Sequence, residues 1–386
     1  MMATLILAGS AMGKIDQATW ELGARSNGQI HAWVFINHQY SGSAEEREPQ
    51  QISSRAKRRR ARRGVLDKRQ IQELDRLVSP DLLQRVIETG ADIRHVSRWM
   101  KAISVKATSA QLKTIAKLPF VSRIEPVRQL STPPLPDNQN DIRVASSANR
   151  KSTPLDYGPS LGQLQLMNVP AVHELGYSGR GVIILMLDTG FYQEHESIWP
   201  GRILAEYDFL EGDDETQNQT VEEDRVGQHR HGTYTYTALG GYKPGYLIGP
   251  AFQCNFLLAK TESVPGEYPA EEDNYVAGLE WGEALGADIV SSSLGYLDWY
   301  TYDSLDGMTA VTTRAVRWAT RLGMLVVTAA GNERNSLDWG GYIIAPADAD
   351  SIIAVGAVDA DGNIASFSSH GPTFDGRIKP EVVAQG

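Results

Sequence analysis

The chain has one cysteine, Cys254, in 386 residues, so an internal disulfide framework is excluded and the redox compartment is left open. A lone thiol of this kind reads as a small buried apolar group rather than a reactive one. Long apolar runs are missing too. No stretch approaches the roughly 18 residues that would cross a bilayer, which argues against a membrane anchor within these residues. The opening segment, Met1 to Gly13, combines a short apolar run with small residues but lacks the basic start of a secretory signal. It reads either as a clipped or mis-started leader, residues 1–30, or as an ordinary buried strand. Metal-ligand spacing is scarce: His229-Arg-His231 is the one paired arrangement, with Asp188 or His195 as possible further ligands.

What is present suits an enzyme. A hydrophobic content of 41% over this length supports a full core, one large domain and a smaller one. Charge is unevenly spread. Residues 31–130 hold 20 Lys and Arg against 10 Asp and Glu, a net +10 within a chain whose total is −10. A basic region attached to an acidic remainder favours docking between them and sets orientation more than raw affinity. Much of the excess sits in Arg55-Ala-Lys-Arg-Arg-Arg-Ala-Arg-Arg63, a kind of run that is usually solvated or disordered. No aromatic-interleaved surface or reading motif accompanies it, so nucleic acid is not the expected partner.

Periodicity divides the chain in the same place. Residues 30–37 predict a strand, and 70–78 and 81–89 carry apolar residues at helical spacing. A strand over 102–107, a short helix over 109–118 and a closing strand over 121–125 complete a small α+β domain. Residues 131–160 have the Pro-rich polar composition of a linker. Beyond it, apolar runs of strand length at 182–187, 255–259, 288–293, 324–329 and 351–355 alternate with helical patterns at 271–285 and 307–322. The expectation is a three-layer, doubly wound α/β fold with a mostly parallel sheet, over residues 161–386. In such sheets ligands bind at the carboxyl ends of strands. There the pattern puts Asp188, Ser293-Leu294-Gly295 and Ala330-Gly331-Asn332, while His231 opens a possible helix after an acidic loop. Singly, each is better read as a cap, a turn or a structural histidine.

Their order and setting resemble the subtilases, the subtilisin-like serine proteases of peptidase family S8, over roughly Gly181 to Gly386. Asp188-Thr-Gly190 resembles the family's Asp motif and His231-Gly-Thr233 its His motif. Ser293-Leu-Gly295 resembles the substrate-pairing strand, and Ala330-Gly-Asn332 the oxyanion segment. Phe367-Ser-Ser-His-Gly-Pro372 and Lys379-Pro-Glu-Val-Val-Ala-Gln-Gly386 resemble the approach to the nucleophile motif. Residues 31–130 look like the inhibitory propeptide that precedes many such domains.

The resemblance implies an endopeptidase in which His231 is the base, Asp188 orients it and Asn332 donates to the oxyanion. Ser293, Leu294, Gly295, Ala330 and Gly331 would bind the substrate, adding an extended peptide to an exposed edge. No cofactor is required. Structural calcium is possible, with Glu211-Gly-Asp-Asp-Glu215 and Glu222-Glu-Asp224 as oxygen donors, against the alternative of a solvated acidic loop. Partners would be a polypeptide substrate and the chain's own propeptide, and the compartment extracytoplasmic. The departures are Gln385 in place of the common Pro, Tyr234 after the His motif, and no Gly-Thr-Ser segment after Asn332. Three readings compete: a fragment of a longer protease, inactive as it stands; a non-catalytic relative used for binding; and a metal-dependent hydrolase at His229 and His231.

Overall fold

The computed structural model describes residues 11–17, 19, 28–37, 51–128, 155–264, 272–297 and 300–386. Most of the expected linker, residues 131–154, and the start of the possible leader lie outside the described residues. Contacts divide the chain into two units, one of residues 1–51 and 66–128, the other of residues 52–65 and 129–386.

In the first unit, β1 (Gln29–Ile36), β2 (Asp92–Ser97), β3 (Ala102–Thr108) and β4 (Val121–Pro126) form an antiparallel sheet in the order β2-β3-β1-β4. Alternate residues share a face, so Ile30, Ala32, Val34 and Ile36 meet Ile103, Val105 and Ala107 in one core. Strand β2 escapes the sequence pattern because its residues are mostly half-exposed and do not alternate cleanly. Two helices of this unit, Lys68–Asp75 and Ser109–Ala116, begin at capping boxes. At Thr108 the hydroxyl accepts from Gln111 N at 3.3 Å, while Gln111 Oε1 accepts from Thr108 N at 2.7 Å. Asp67 and Gln70 make the same exchange at the helix over Lys68–Asp75.

The second unit is built on seven parallel strands in the order β13-β12-β11-β10-β5-β9-β6. They are β5 (Ile183–Asp188), β6 (Ile203–Asp208), β9 (Asn255–Lys260), β10 (Ile289–Ser292), β11 (Leu325–Ala329), β12 (Ile353–Val358) and β13 (Val382–Gln385). A short ribbon, β7 and β8, pairs Tyr242–Lys243 with Leu247–Ile248. All six residues of β5 are buried, as a central parallel strand covered on both faces requires. Ile184 and Met186 pack towards Tyr236 and Phe256 on one face. Leu185 and Leu187 lie on the other, against glycines of a helix over Glu272–Leu285, where a Cβ at Gly282 or Gly278 would stand 2.4 or 2.6 Å away. The glycines therefore set how closely that helix approaches the sheet. From β5 the chain runs outward to β6, returns to β9 and then crosses to β10, so the direction of winding reverses beside β5.

The basic run is a correction. Rather than being solvated or disordered, it is a helix, α1 (Ser54–Arg63), in which Arg59 and Arg60 are buried. The physical reason is a buried carboxylate, Glu283, that both guanidinium groups meet. Cys254 is buried, as expected, and burial pushes its thiol up to about 11. No helix among the described residues is long and apolar enough to cross a membrane.

Candidate active site

Strand β5 delivers Asp188 as its last residue, 1% exposed, at the carboxyl end of the sheet where the winding reverses. A carboxylate buried this deeply needs donors. Its Oδ1 accepts from Thr189 N at 2.7 Å, from His231 Nδ1 at 2.6 Å and from Thr189 Oγ1 at 3.3 Å. Its Oδ2 accepts from Thr235 Oγ1 at 2.9 Å.

His231 lies in the first turn of a helix over Arg230–Gly240. Close packing, not a side-chain cap, positions that turn. A Cβ at Gly232 would stand 2.1 Å from Gly190 O and 3.1 Å from Asp188 Cβ, so only glycine lets the imidazole reach the carboxylate. Thr233 fastens the same turn, donating to His229 O at 2.7 Å and accepting from Tyr192 N at 2.9 Å. Burial pulls the His231 pKa down, but the charge and hydrogen bond of Asp188 outweigh it and hold the ring above the usual histidine value.

A second tier braces the loop that leads into this helix. Gln228, 3% exposed, donates to Thr189 O and Glu262 O, both at 2.7 Å, and accepts from Val264 N at 2.8 Å. Lys260, fully buried at the end of β9, pairs with Asp208 at 2.8 Å and with Glu223. Burial would lower the Lys260 pKa, yet the two carboxylates raise it above its ordinary value and keep it charged. Sequence reading missed Thr235, Gln228 and Lys260. Thr235 had a signal, since it stands four residues after His231 and therefore on the same helix face. The other two carry none, because their partners are distant in sequence.

The remaining candidates lie along the same edge. Ser293 follows β10 and Ala330-Gly-Asn332 follows β11, the two strands that succeed β5 in the sheet, so both segments leave its carboxyl edge on one side of Asp188. Ser293, Ala330, Gly331 and Asn332 share a recess of about 270 Å³ with the ends of β12 and β13. Gly331 has φ +113, and a Cβ there would stand 2.9 Å from Ile344 and from Ser369 Oγ, so the bend into Asn332 depends on glycine. Leu294 and Gly295 do not line this recess. Leu294 is 3% exposed, and Gly295 lies against Ile344 just before Tyr296 bonds to Ala345 O at 2.7 Å.

His229 and His231 do not behave as paired metal ligands. Nδ1 of His229 accepts from Asn218 N at 3.1 Å, and burial lowers its pKa, while Nδ1 of His231 faces Asp188. His195 Nδ1 meets Ser197 Oγ at 2.9 Å. The acidic loop is likewise occupied with its own backbone. Glu223 closes a capping box with Thr220, Glu222 pairs with Arg225, and Asp213 receives Gln219 and the backbone N–H of Glu215. Among the described residues no group of three or more His, Cys, Asp or Glu side chains is placed to hold a metal.

Comparison with known proteins agrees with this geometry. The pattern of the subtilase family, peptidase S8, matches residues 179–386, and that of a peptidase S8 propeptide domain from Bacteroidota matches residues 31–143. Subtilisin DY of Bacillus licheniformis is 31% identical over 225 residues, which cover 58% of this chain and 71% of that protein. The serine protease AprX of Bacillus subtilis is 31% identical over 224 residues, covering 54% of this chain and 47% of its own length. Among solved structures, an epidermin leader peptide processing serine protease from Staphylococcus aureus superposes with a TM-score of 0.58 at 14% identity, covering 93% of this chain and 76% of that one. Fervidolysin from Fervidobacterium pennivorans, a keratinolytic enzyme related to subtilisin, superposes with a TM-score of 0.57 at 20% identity, covering 80% and 46%. These two share the fold. A buried acid hydrogen-bonded to a histidine at the carboxyl edge of a parallel sheet, in a chain whose larger part carries the family pattern, leads to one assignment: the chain belongs to the subtilase family, peptidase S8.

Proposed function

We propose that the chain is the acid, base and oxyanion portion of a secreted subtilisin-like serine endopeptidase, made as a zymogen, whose nucleophilic serine lies outside these 386 residues. The observation that carries the reading is the 2.6 Å contact of His231 Nδ1 with Asp188 Oδ1. It fixes the tautomer with the proton on Nδ1 and leaves Nε2 to take a proton from a serine hydroxyl, which is a poor nucleophile without such a base. Attack on a peptide carbonyl would turn His231 into an imidazolium stabilised by Asp188. The Asn332 amide would donate to the oxyanion, worth about 3 kcal/mol at the corresponding donor of subtilisin. Nε2 would then return its proton to the leaving amine, and water would release the acyl group by the same steps in reverse. A peptide would lie along Ser293, Leu294 and Gly295, with Ala330 and Gly331 opposite. Residues 31–130 would act as an intramolecular inhibitor until cut in the linker.

Within the chain, Ser368 and Ser369 do not suit a nucleophile. Both are buried, with their hydroxyls accepting from the backbone N–H of Ala357 and Glu333 at 2.9 Å. The test is to express the full open reading frame and follow hydrolysis of a chromogenic peptide. Activity abolished by His231→Ala and by a serine-directed sulfonyl fluoride is expected. Activity that survives both would overturn the assignment.

A further inference from the structure

The basic run finds its place on the sheet-covering helices of the second unit. One of these, Glu272–Leu285, carries Glu283 in its last turn and no basic residue there. A carboxylate in that position opposes the helix dipole, and Glu283 is fully buried as well. Helix α1 supplies what it lacks. Arg60 Nε and Nη2 donate to Glu283 Oε1 and Oε2 at 2.8 and 2.6 Å, a two-pronged contact, and Arg59 pairs with Oε1. The same helix also satisfies carbonyls where the two helices end. Ser53 N donates to Ala284 O at 2.9 Å and Arg59 to Ala287 O; at the end of the helix over Val311–Arg321, Arg59 Nε donates to Leu322 O and Arg63 Nε to Thr320 O, each at 3.3 Å. At its amino end Arg55 donates to Gly181 O at 2.6 Å and pairs with Asp288.

Two glycines make room for this arrangement. Gly286 and Gly323 follow the two helices with φ +104 and +94. A Cβ at Gly286 would stand 2.9 Å from Ser53 Oγ, and one at Gly323 would stand 3.0 Å from Arg63 Cβ. The residues of α1 that meet this surface, 55, 56, 59, 60 and 63, fall on one helix face, with 56, 59 and 60 buried and 63 exposed at its end, while Lys57, Arg58 and Arg62 are exposed.

We propose that the ends of these two helices, with Glu283 between them, form a docking surface whose occupant is the chain's own Arg55–Arg63 helix. It acts as an arginine latch that keeps residues 31–130 attached after the linker is cut. The consequence for processing rests on the zymogen reading above; the latch itself does not. It also turns a run of seven basic residues, a ready target for a trypsin-like protease, into a helix that such an enzyme attacks slowly.

Limited trypsinolysis of the 386-residue chain, read by mass spectrometry and gel filtration, tests this without any peptidase activity. Cuts after Arg143, Arg150 or Lys151 should precede cuts within residues 55–63 by at least tenfold, and the two pieces should co-elute. Glu283→Gln should accelerate cutting within 55–63 at least tenfold and let the pieces separate, whereas Arg58→Gln, on the exposed face, should do neither. Equal cutting rates in wild type and Glu283→Gln, or pieces that stay together in the variant, would overturn the latch. If Glu283→Gln does not fold, amide exchange in the wild-type chain decides: protection of residues 56–63 by a hundredfold or more supports it, and exchange at the unprotected rate refutes it.

Discussion

Replacing Gly232 by alanine probes the packing that brings acid and base together. The added methyl would start 2.1 Å from Gly190 O, against an ordinary contact of 3.4 Å, and the atoms it meets, the Gly190 carbonyl and Asp188 Cβ at 3.1 Å, are not the far end of a flexible side chain. The helix bearing His231 must therefore lift by about 1.3 Å, stretching the 2.6 Å contact with Asp188 to about 3.9 Å, beyond hydrogen-bond range. Overpacking of this kind costs about 1–3 kcal/mol, and a buried carboxylate stripped of a donor costs about 1–3 more. A fall of at least about 4 °C in the unfolding midpoint follows, at about 2–4 °C per kcal/mol. In the complete enzyme a displacement of about 1 Å lowers turnover by about a hundredfold. Thermal unfolding by circular dichroism and the Nδ1–H proton resonance of His231 would measure both effects on the chain as it stands. Gly162→Ala is the control, since no atom lies within 4 Å of its Cβ inside a helix over Leu161–Leu166, and it should gain about 0.5–1 kcal/mol. If Gly232→Ala proves as harmless as the control and keeps its Nδ1–H resonance, close approach is not what fixes the histidine.

Thr235→Val keeps the shape of the side chain but deletes the donor to Asp188 Oδ2, so stability should fall by about 1–3 kcal/mol and kcat with it, while KM holds; Thr235→Ser should restore both, and an unchanged kcat would show the hydroxyl to be incidental. Because Asp188 holds the His231 pKa above its unfolded value near 6.5, that pair adds stability fully present below pH 6.5 and lost as pH rises through the folded pKa. Urea unfolding followed across this range should show the decline in wild type and not in Asp188→Asn, and identical profiles would refute the assignment. Lys260→Met should cost about 3–5 kcal/mol by leaving Asp208 and Glu223 without their cation, measured by the same unfolding assay, and a loss under about 1 kcal/mol would mean that water reaches the cluster.

Much of the fold was legible because it is written locally. Continuous apolar runs such as 183–187 announce strands buried on both faces, and their alternation with helical stripes leaves the parallel sheet as the economical topology. The motifs around Asp188, His231 and Asn332 could be picked out by their order and their resemblance to those of the subtilases, and the structure adds that Gly190, Gly232 and Gly331 sit at close approaches in all three. What charge patterning misjudged was Arg55–Arg63. Seven basic residues in a run of nine read as a solvated surface until a carboxylate some 220 positions later, at a helix end that lacks its own cation, is brought against them. Thr235, Gln228 and Lys260 were hidden for the same reason, as their value lies in partners that only folding brings near. Periodicity and glycine placement are properties of a few neighbouring residues, so the sequence alone determined the layers and the order of the motifs. Pairing of buried charges depends on distances across the whole sheet, and the tertiary structure decided which arginines, which lysine and which hydroxyl brace the acid and the base.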